Sequence, residues 1–237
     1  MRTGTSPNEQ RDRMNANVIR RITGATALLG AVCQLIELPL YFVYSGAPPD
    51  SNILTRSLFG LFGLVGLTFY VVFMTGIGHL VSELGPQYRW LGTLTSTAGL
   101  MWLAVAFVGM GLEVGAVIQS PVDIDPTIAV SGTYILYGTI SKLLMGLFLF
   151  AFATSVRLTR ILPTWTPWSA YVLALVNWTF IPSMFFGNTP AHFYAANGWG
   201  TTATTGGILM LWLLVVGITL LRQPSLTPVD SAQPQPA

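Results

Sequence analysis

The chain has 237 residues, of which 52% are hydrophobic and only 8% are charged, and its formal net charge is +2. Soluble domains carry roughly a quarter charged residues, so this composition excludes an ordinary soluble protein and indicates one that lies in a membrane. The small positive charge does not support nucleic-acid binding, which needs basic residues clustered on a folded surface.

Apolar runs long enough to cross a bilayer, about 20 residues each, recur along the chain. In chain order the predicted spans are 20–44, 57–82, 90–118, 131–156, 166–187 and 201–221. Each run is continuously apolar, whereas the strands of a membrane barrel alternate. We therefore predict an all-α fold, a polytopic membrane protein with a bundle of six transmembrane helices.

Polar segments flank the predicted six-helix domain, which covers 18–222. Residues 1–17 have no hydrophobic run, and residues 223–237 are Pro-rich and almost free of apolar side chains. Such segments bury too little apolar surface to fold, so we predict a disordered segment at each end. The first apolar run is too long for a signal peptide and has no small-residue cleavage site behind it, so we expect it to be retained.

Arginine is distributed unevenly between the two sides of the predicted bundle. The arginines on the side of the termini are Arg2, Arg11, Arg13, Arg20, Arg21, Arg89, Arg157, Arg160 and Arg222. The opposite side has Arg56, and its loop between spans three and four carries Asp123 and Asp125. Because basic residues stay on the cytoplasmic side, we predict cytoplasmic N and C termini and a multi-pass protein of the inner cell membrane.

Charged residues inside the predicted spans are the main functional signal. Glu37 lies in the first span, Glu113 in the third, and Lys142, the only lysine of the chain, in the fourth. Such a charge costs about 2.5 to 3.5 kcal/mol and usually faces the protein interior. Counted at 1.5 Å per residue, they lie about 12 to 16 Å below the outer helix ends. We therefore predict that the Lys142 ammonium forms a salt bridge with one of the carboxylates.

Residues around these charges indicate a buried polar pocket in the outer half of the bundle. Gln34 precedes Glu37 by one helical step, and Gly138 and Gly146 lie four residues before and after Lys142. Polar and small residues at such positions face neighbouring helices rather than lipid.

Asn177 in the fifth span and His192 in the connection after it complete the predicted ligand-binding residues, which are Gln34, Glu37, Glu113, Lys142, Asn177 and His192. The connection reads FIPSMFFGNTPAHFYAANGWG, and its aromatic residues are typical of a membrane interface. Alternatively, it is a lid in which His192 senses pH or a ligand. A lone histidine has no partner at metal-ligand spacing, so we predict no metal and no cofactor.

Enzyme motifs such as HExxH, GxSxG and a Walker loop are missing from the sequence. A Schiff base on Lys142, as in rhodopsins, is set aside because six spans are predicted and the lysine lies in the fourth. Two carboxylates against one ammonium leave a negative charge unless a carboxyl is protonated, Arg56 reaches the site or a cation binds.

The sequence thus predicts an integral membrane protein that binds or passes a small molecule, lipid or ion at an outward-facing pocket, coupled to protonation of Glu37 or Glu113. One alternative is a non-catalytic structural or accessory subunit in which the charges only fix helix packing. Another is an intramembrane enzyme that uses Lys142. The expected partners are the lipid bilayer and a small molecule or ion, not nucleic acid, and the oligomeric state is open.

Overall fold

The computed structural model of the chain describes residues 7–46, 52–120, 124 and 129–223, with the side chains of 14–39, 60–120, 124 and 129–223. Long helices make up most of this part. They are α1 Pro7–Gly46, α2 Asn52–Ser82, α3 Arg89–Gln119, α4 Thr133–Thr159, α5 Trp165–Thr179 and α6 Gly200–Arg222. A 3-10 segment, Ile181–Phe186, follows α5. The predicted all-α fold is confirmed.

Each of the six helices contains a stretch long and apolar enough to cross a membrane. The stretches are Met14–Pro39, Gly60–Ser82, Pro86–Gln119, Thr133–Thr159, Trp165–Phe186 and Gly200–Arg222. Large apolar side chains such as Leu61, Met101 and Val172 are more than half exposed, as expected where helices face lipid acyl chains. The chain is a six-span helical membrane protein.

The first helix begins earlier than the sequence predicted. It starts at Pro7, so the boundary proposed at residue 18 lies inside α1. Proline is favoured in the first turn of a helix, and the Glu, Gln and Arg residues that follow are good helix formers, so the helix extends beyond the apolar run. Residues 1–6, the tail from 224, the Asp123 and Asp125 positions and the Arg56 side chain lie outside the described residues.

The helices pack in an order that leaves space at one end of the bundle. α1 packs against α2 and α6, α3 packs against α2 and α4, and α5 packs mainly on α4. α1 and α6 approach closely at two glycines, where a Cβ on Gly217 would lie 2.9 Å from the Gly24 carbonyl oxygen. Gly146 of α4 makes similar room for the Trp178 indole of α5. Small residues therefore set both helix contacts.

Two π-helical turns lie near the starts of α4 and α6. They are Leu136–Ile140 and Gly200–Thr204. Within the first, Gly138 has φ −80° and ψ −111°, and a Cβ there would lie 2.5 Å from the Ala196 carbonyl oxygen. A π turn shifts the direction of the side chains around it and occurs frequently at functional sites. Each turn ends directly before a residue of the site described next.

Candidate functional site

A partly open cavity of about 140 Å³ lies inside the bundle. Its wall comes from α1, α3, α4 and α6, with one residue from α2 and one from the connection before α6. It lies toward the bundle end at which α1 and α3 end and α4 and α6 begin. An engineered protein cavity of about 150 Å³ binds benzene, and a water molecule takes about 30 Å³ of liquid. The cavity therefore has room for about five waters or one small molecule.

Four of the predicted site residues line this cavity, although they come from three helices. They are Gln34, Glu37, Glu113 and Lys142. All four are buried, with 6%, 6%, 2% and 2% of the side chain exposed. These four side chains, which are far apart in the sequence, are therefore buried around one cavity.

The other two predicted residues do not line the cavity. Asn177 is buried on α5, where its Nδ2 donates to the Leu173 carbonyl at 2.8 Å, and α5 supplies no residue to the cavity wall. His192 is exposed on the connection between α5 and α6. From the same connection it is Asn197, buried beside Ala195 and Ala196, that reaches the cavity wall.

The α1 side of the cavity presents hydrogen-bond acceptors. Gln34 Nε2 donates to the Gly63 carbonyl of α2 at 2.9 Å, which leaves the amide oxygen of Gln34 as an acceptor. Glu37 Oε2 is buried and has no hydrogen-bond partner among the described residues. A Cβ on Gly63 would lie 2.9 Å from this oxygen, so a larger residue there would crowd the carboxylate. Ile36, next to Glu37, is 44% exposed, so α1 turns its polar face inward.

The α4 side presents hydrogen-bond donors. Lys142 Nζ donates to Thr205 Oγ1 of α6 at 2.6 Å, and Thr205 Oγ1 donates to the Thr201 carbonyl at 2.6 Å. An ammonium carries three N–H donors, so this bond leaves two for other partners. Ser141, which precedes Lys142, accepts a hydrogen bond from Trp102 Nε1 at 2.8 Å, and that bond fixes the tryptophan against α4.

The prediction that Lys142 forms a salt bridge with Glu37 or Glu113 is wrong. Within the part of the chain that the structure describes, the ammonium bonds to the Thr205 hydroxyl, not to a carboxylate. Helical rise fixes how deep a residue lies, but its direction around the helix axis depends on packing and on the π turn before Ser141. Sequence reasoning therefore predicted that the lysine is buried, which it is, and missed the helix to which it points.

Further residues of the site were missed by sequence reasoning. They are Trp102, Ser141, Asn197 and Thr205. The only signals in the sequence are the position of Ser141 beside the lysine and the threonine-rich stretch TTATT, 201–205, at the start of the last span. An uncharged polar residue in a span has a low free-energy cost of insertion, so its presence does not by itself indicate a functional site.

Side chains that ionise with opposite charge therefore line one partly open cavity. Glu37 and Glu113 interact electrostatically with each other, and Lys142 lies on another wall of the same cavity. At low dielectric such charges act strongly on any polar molecule between them. The arrangement can hold a molecule that donates hydrogen bonds toward α1 and accepts them from α4.

Among the described residues, no group of three or more His, Cys, Asp or Glu side chains could hold a metal ion. Comparisons of the chain with models of protein families, with curated proteins and with solved structures give no match. Function is therefore inferred from the cavity itself.

Proposed function

We propose that this membrane protein binds a small molecule in the cavity between α1, α3, α4 and α6. One observation carries the proposal: Glu37 and Lys142, side chains that ionise with opposite charge, are both buried, line the same cavity, and keep hydrogen-bonding capacity that the described residues do not fill. An uncompensated buried charge costs several kcal/mol. A bound polar molecule would offset that cost.

Binding fits the described bundle better than free passage does. Beyond Lys142, toward the other end of the bundle, α4 continues with Phe148 and Phe152, which are both 0% exposed. The Phe152 ring contacts the Trp212 ring of α6 with centroids 5.2 Å apart. Packed aromatic rings therefore close the bundle on that side. With the cytoplasmic termini predicted above, the cavity faces the outer side of the membrane.

Accessibility of the cavity is tested with two serines of α4. Ser141 lines the cavity and is 6% exposed, whereas Ser155 is 0% exposed and bonds to Thr95 at 3.1 Å in the packed core. In a background without Cys33, the variants Ser141→Cys and Ser155→Cys are treated in detergent with a small methanethiosulfonate reagent, and modification is measured by mass spectrometry. We expect modification of the first variant only. Equal resistance of both thiols would show that small molecules do not reach the cavity, and the proposal would fail.

A structural role is the second candidate, and the hydrogen bond between Lys142 and Thr205 favours it because that bond joins α4 to α6. The combined variant Lys142→Met, Glu37→Gln, Glu113→Gln removes the buried charges at nearly constant volume. If the charges only fix packing, this variant stays folded and keeps the cellular role of the native protein, measured by complementation of a deletion strain. If the cavity is a binding site, it folds and loses binding.

A further inference from the structure

We propose that the ligand is a small zwitterion with an apolar body, of the kind represented by a free aliphatic amino acid. Its ammonium group binds at Glu37 and its carboxylate binds at Lys142. This inference rests on the proposed function and adds to it the chemical class and the orientation of the ligand.

The carboxylate end is assigned to the α4 wall. Lys142 is 2% exposed, and its bond to Thr205 uses one of three N–H donors. A charge-assisted bond from an ammonium to a carboxylate is roughly twice as strong as a neutral one. The Ser141 hydroxyl, whose oxygen already accepts from Trp102, adds a donor next to the lysine on the same wall. This wall is therefore suited to an anionic group.

The ammonium end is assigned to the α1 wall. Glu37 Oε2 is buried and accepts no hydrogen bond from the described residues. The amide oxygen of Gln34, one helical step earlier, is a second acceptor on this wall, because the amide nitrogen already donates to Gly63. An ammonium group would donate hydrogen bonds to both acceptors, and its positive charge would pair with the Glu37 carboxylate.

The apolar body of the ligand is assigned to the methionines of the cavity. Met110 of α3, Met145 of α4 and Met210 of α6 all line it. Methionine side chains are unbranched and polarizable, so they adapt to apolar groups of different shape. We therefore expect the site to require both charges of the ligand strictly and to tolerate variation in its apolar part. The volume of about 140 Å³ suits a small aliphatic group.

Simpler ligands satisfy only one wall. A monovalent cation at Glu37 would leave the two remaining donors of Lys142 unused, and an anion at Lys142 would leave Glu37 Oε2 without a donor. A molecule that carries both groups satisfies both walls at once, and the two ion pairs together fix its orientation.

The test compares three molecules that share one carbon skeleton. Free valine carries both charges, isobutylamine carries only the ammonium group, and isovalerate carries only the carboxylate. Binding to the full-length protein in detergent is measured as the rise in melting temperature with concentration, and alanine and leucine extend the zwitterion series. We expect the zwitterions to bind at least about tenfold more tightly than the amine or the acid, since a lost charge-assisted contact reduces affinity by about that factor.

Variants assign each end of the ligand. Glu37→Gln should weaken valine binding by about tenfold or more and leave isovalerate binding unchanged. Lys142→Met should weaken valine binding by a similar factor and leave isobutylamine binding unchanged. Glu83→Gln is the matched control because Glu83 is exposed at the end of α2 and does not line the cavity. If Lys142→Met does not fold, the binding of the three molecules to the native protein and to Glu37→Gln still tests the assignment.

Failure of this inference differs from failure of the proposed function. If only the amine binds, if only the acid binds, or if none of the probes binds while the Ser141→Cys thiol is modified, the cavity is accessible and the zwitterion assignment is wrong. If no probe binds and that thiol resists modification, both proposals are wrong. Zwitterion binding that Glu37→Gln and Glu83→Gln weaken equally would also overturn the assignment.

Discussion

Replacing Thr205 by Val isolates the hydrogen bond that holds the buried lysine. Valine has nearly the same volume, so the main change is the loss of the hydroxyl that lies 2.6 Å from Lys142 Nζ. Hydrogen bonds to charged groups contribute about 1.5–3 kcal/mol, whereas hydrogen bonds between helices in membranes average about 0.6 and reach about 1.7 kcal/mol. Since Lys142 is 2% exposed, water replaces the lost partner poorly, and we expect a loss of about 1.5–2 kcal/mol.

For a chain of this size, 1 kcal/mol changes the melting temperature by about 2–4 °C, so Thr205→Val should lower it by roughly 3–8 °C. The matched control is Thr219→Val on the same helix. The Thr219 hydroxyl donates to the Val215 carbonyl at 2.7 Å within α6 and joins no second helix, so its loss should stay within about 0.5 kcal/mol. Both are measured by thermal unfolding in detergent, and Lys142→Met together with the double variant Thr205→Val, Lys142→Met gives the coupling energy. A Thr205→Val variant as stable as the control, or a coupling energy below about 0.5 kcal/mol, would show that the hydrogen bond between Lys142 and Thr205 does not stabilise the protein as predicted.

Two further predictions follow from helix packing and from the arginine distribution. Gly217→Ala should destabilise the protein by about 1–3 kcal/mol, because its Cβ would lie 2.9 Å from the Gly24 carbonyl oxygen, whereas Gly115→Ala meets nothing within 4 Å and should be neutral in the same thermal assay. In a cysteine-free background, a membrane-impermeant thiol reagent applied from outside should label His192→Cys but not Pro163→Cys, since both positions are exposed and lie at opposite ends of the bundle. Labelling of the second position alone would reverse the predicted orientation.

The burial pattern of α1 shows how far sequence periodicity reaches. Gln34 and Glu37, one helical step apart, were predicted to face inward, and both are 6% exposed; Thr23, nearer the start of the same helix, is 1% exposed. Apolar neighbours such as Val32 and Ile36 are 43% and 44% exposed. A straight helix repeats every 3.6 residues, so the faces of a single span follow from its own residues.

Asn177 shows where that reasoning stops. A buried polar residue in a span satisfies the same sequence rule whether it faces a cavity or a neighbouring helix. Asn177 is 1% exposed and thus faces protein, but α5 packs mainly on α4 and supplies no residue to the cavity. Which helices surround the cavity depends on the packing of six helices, and no single span contains that information.

The number of spans follows from the sequence alone, because hydrocarbon thickness sets the length of an apolar run that can cross a bilayer, and six such runs form the helices of the structure. What the buried ionisable side chains contact follows only from the packing of the helices. Lys142 and its partner Thr205 are 63 residues apart, and they meet because close helix contacts and two π turns set the direction in which each side chain points. The length of an apolar run is a local property of one helix, whereas side-chain direction is a joint property of helices that pack together.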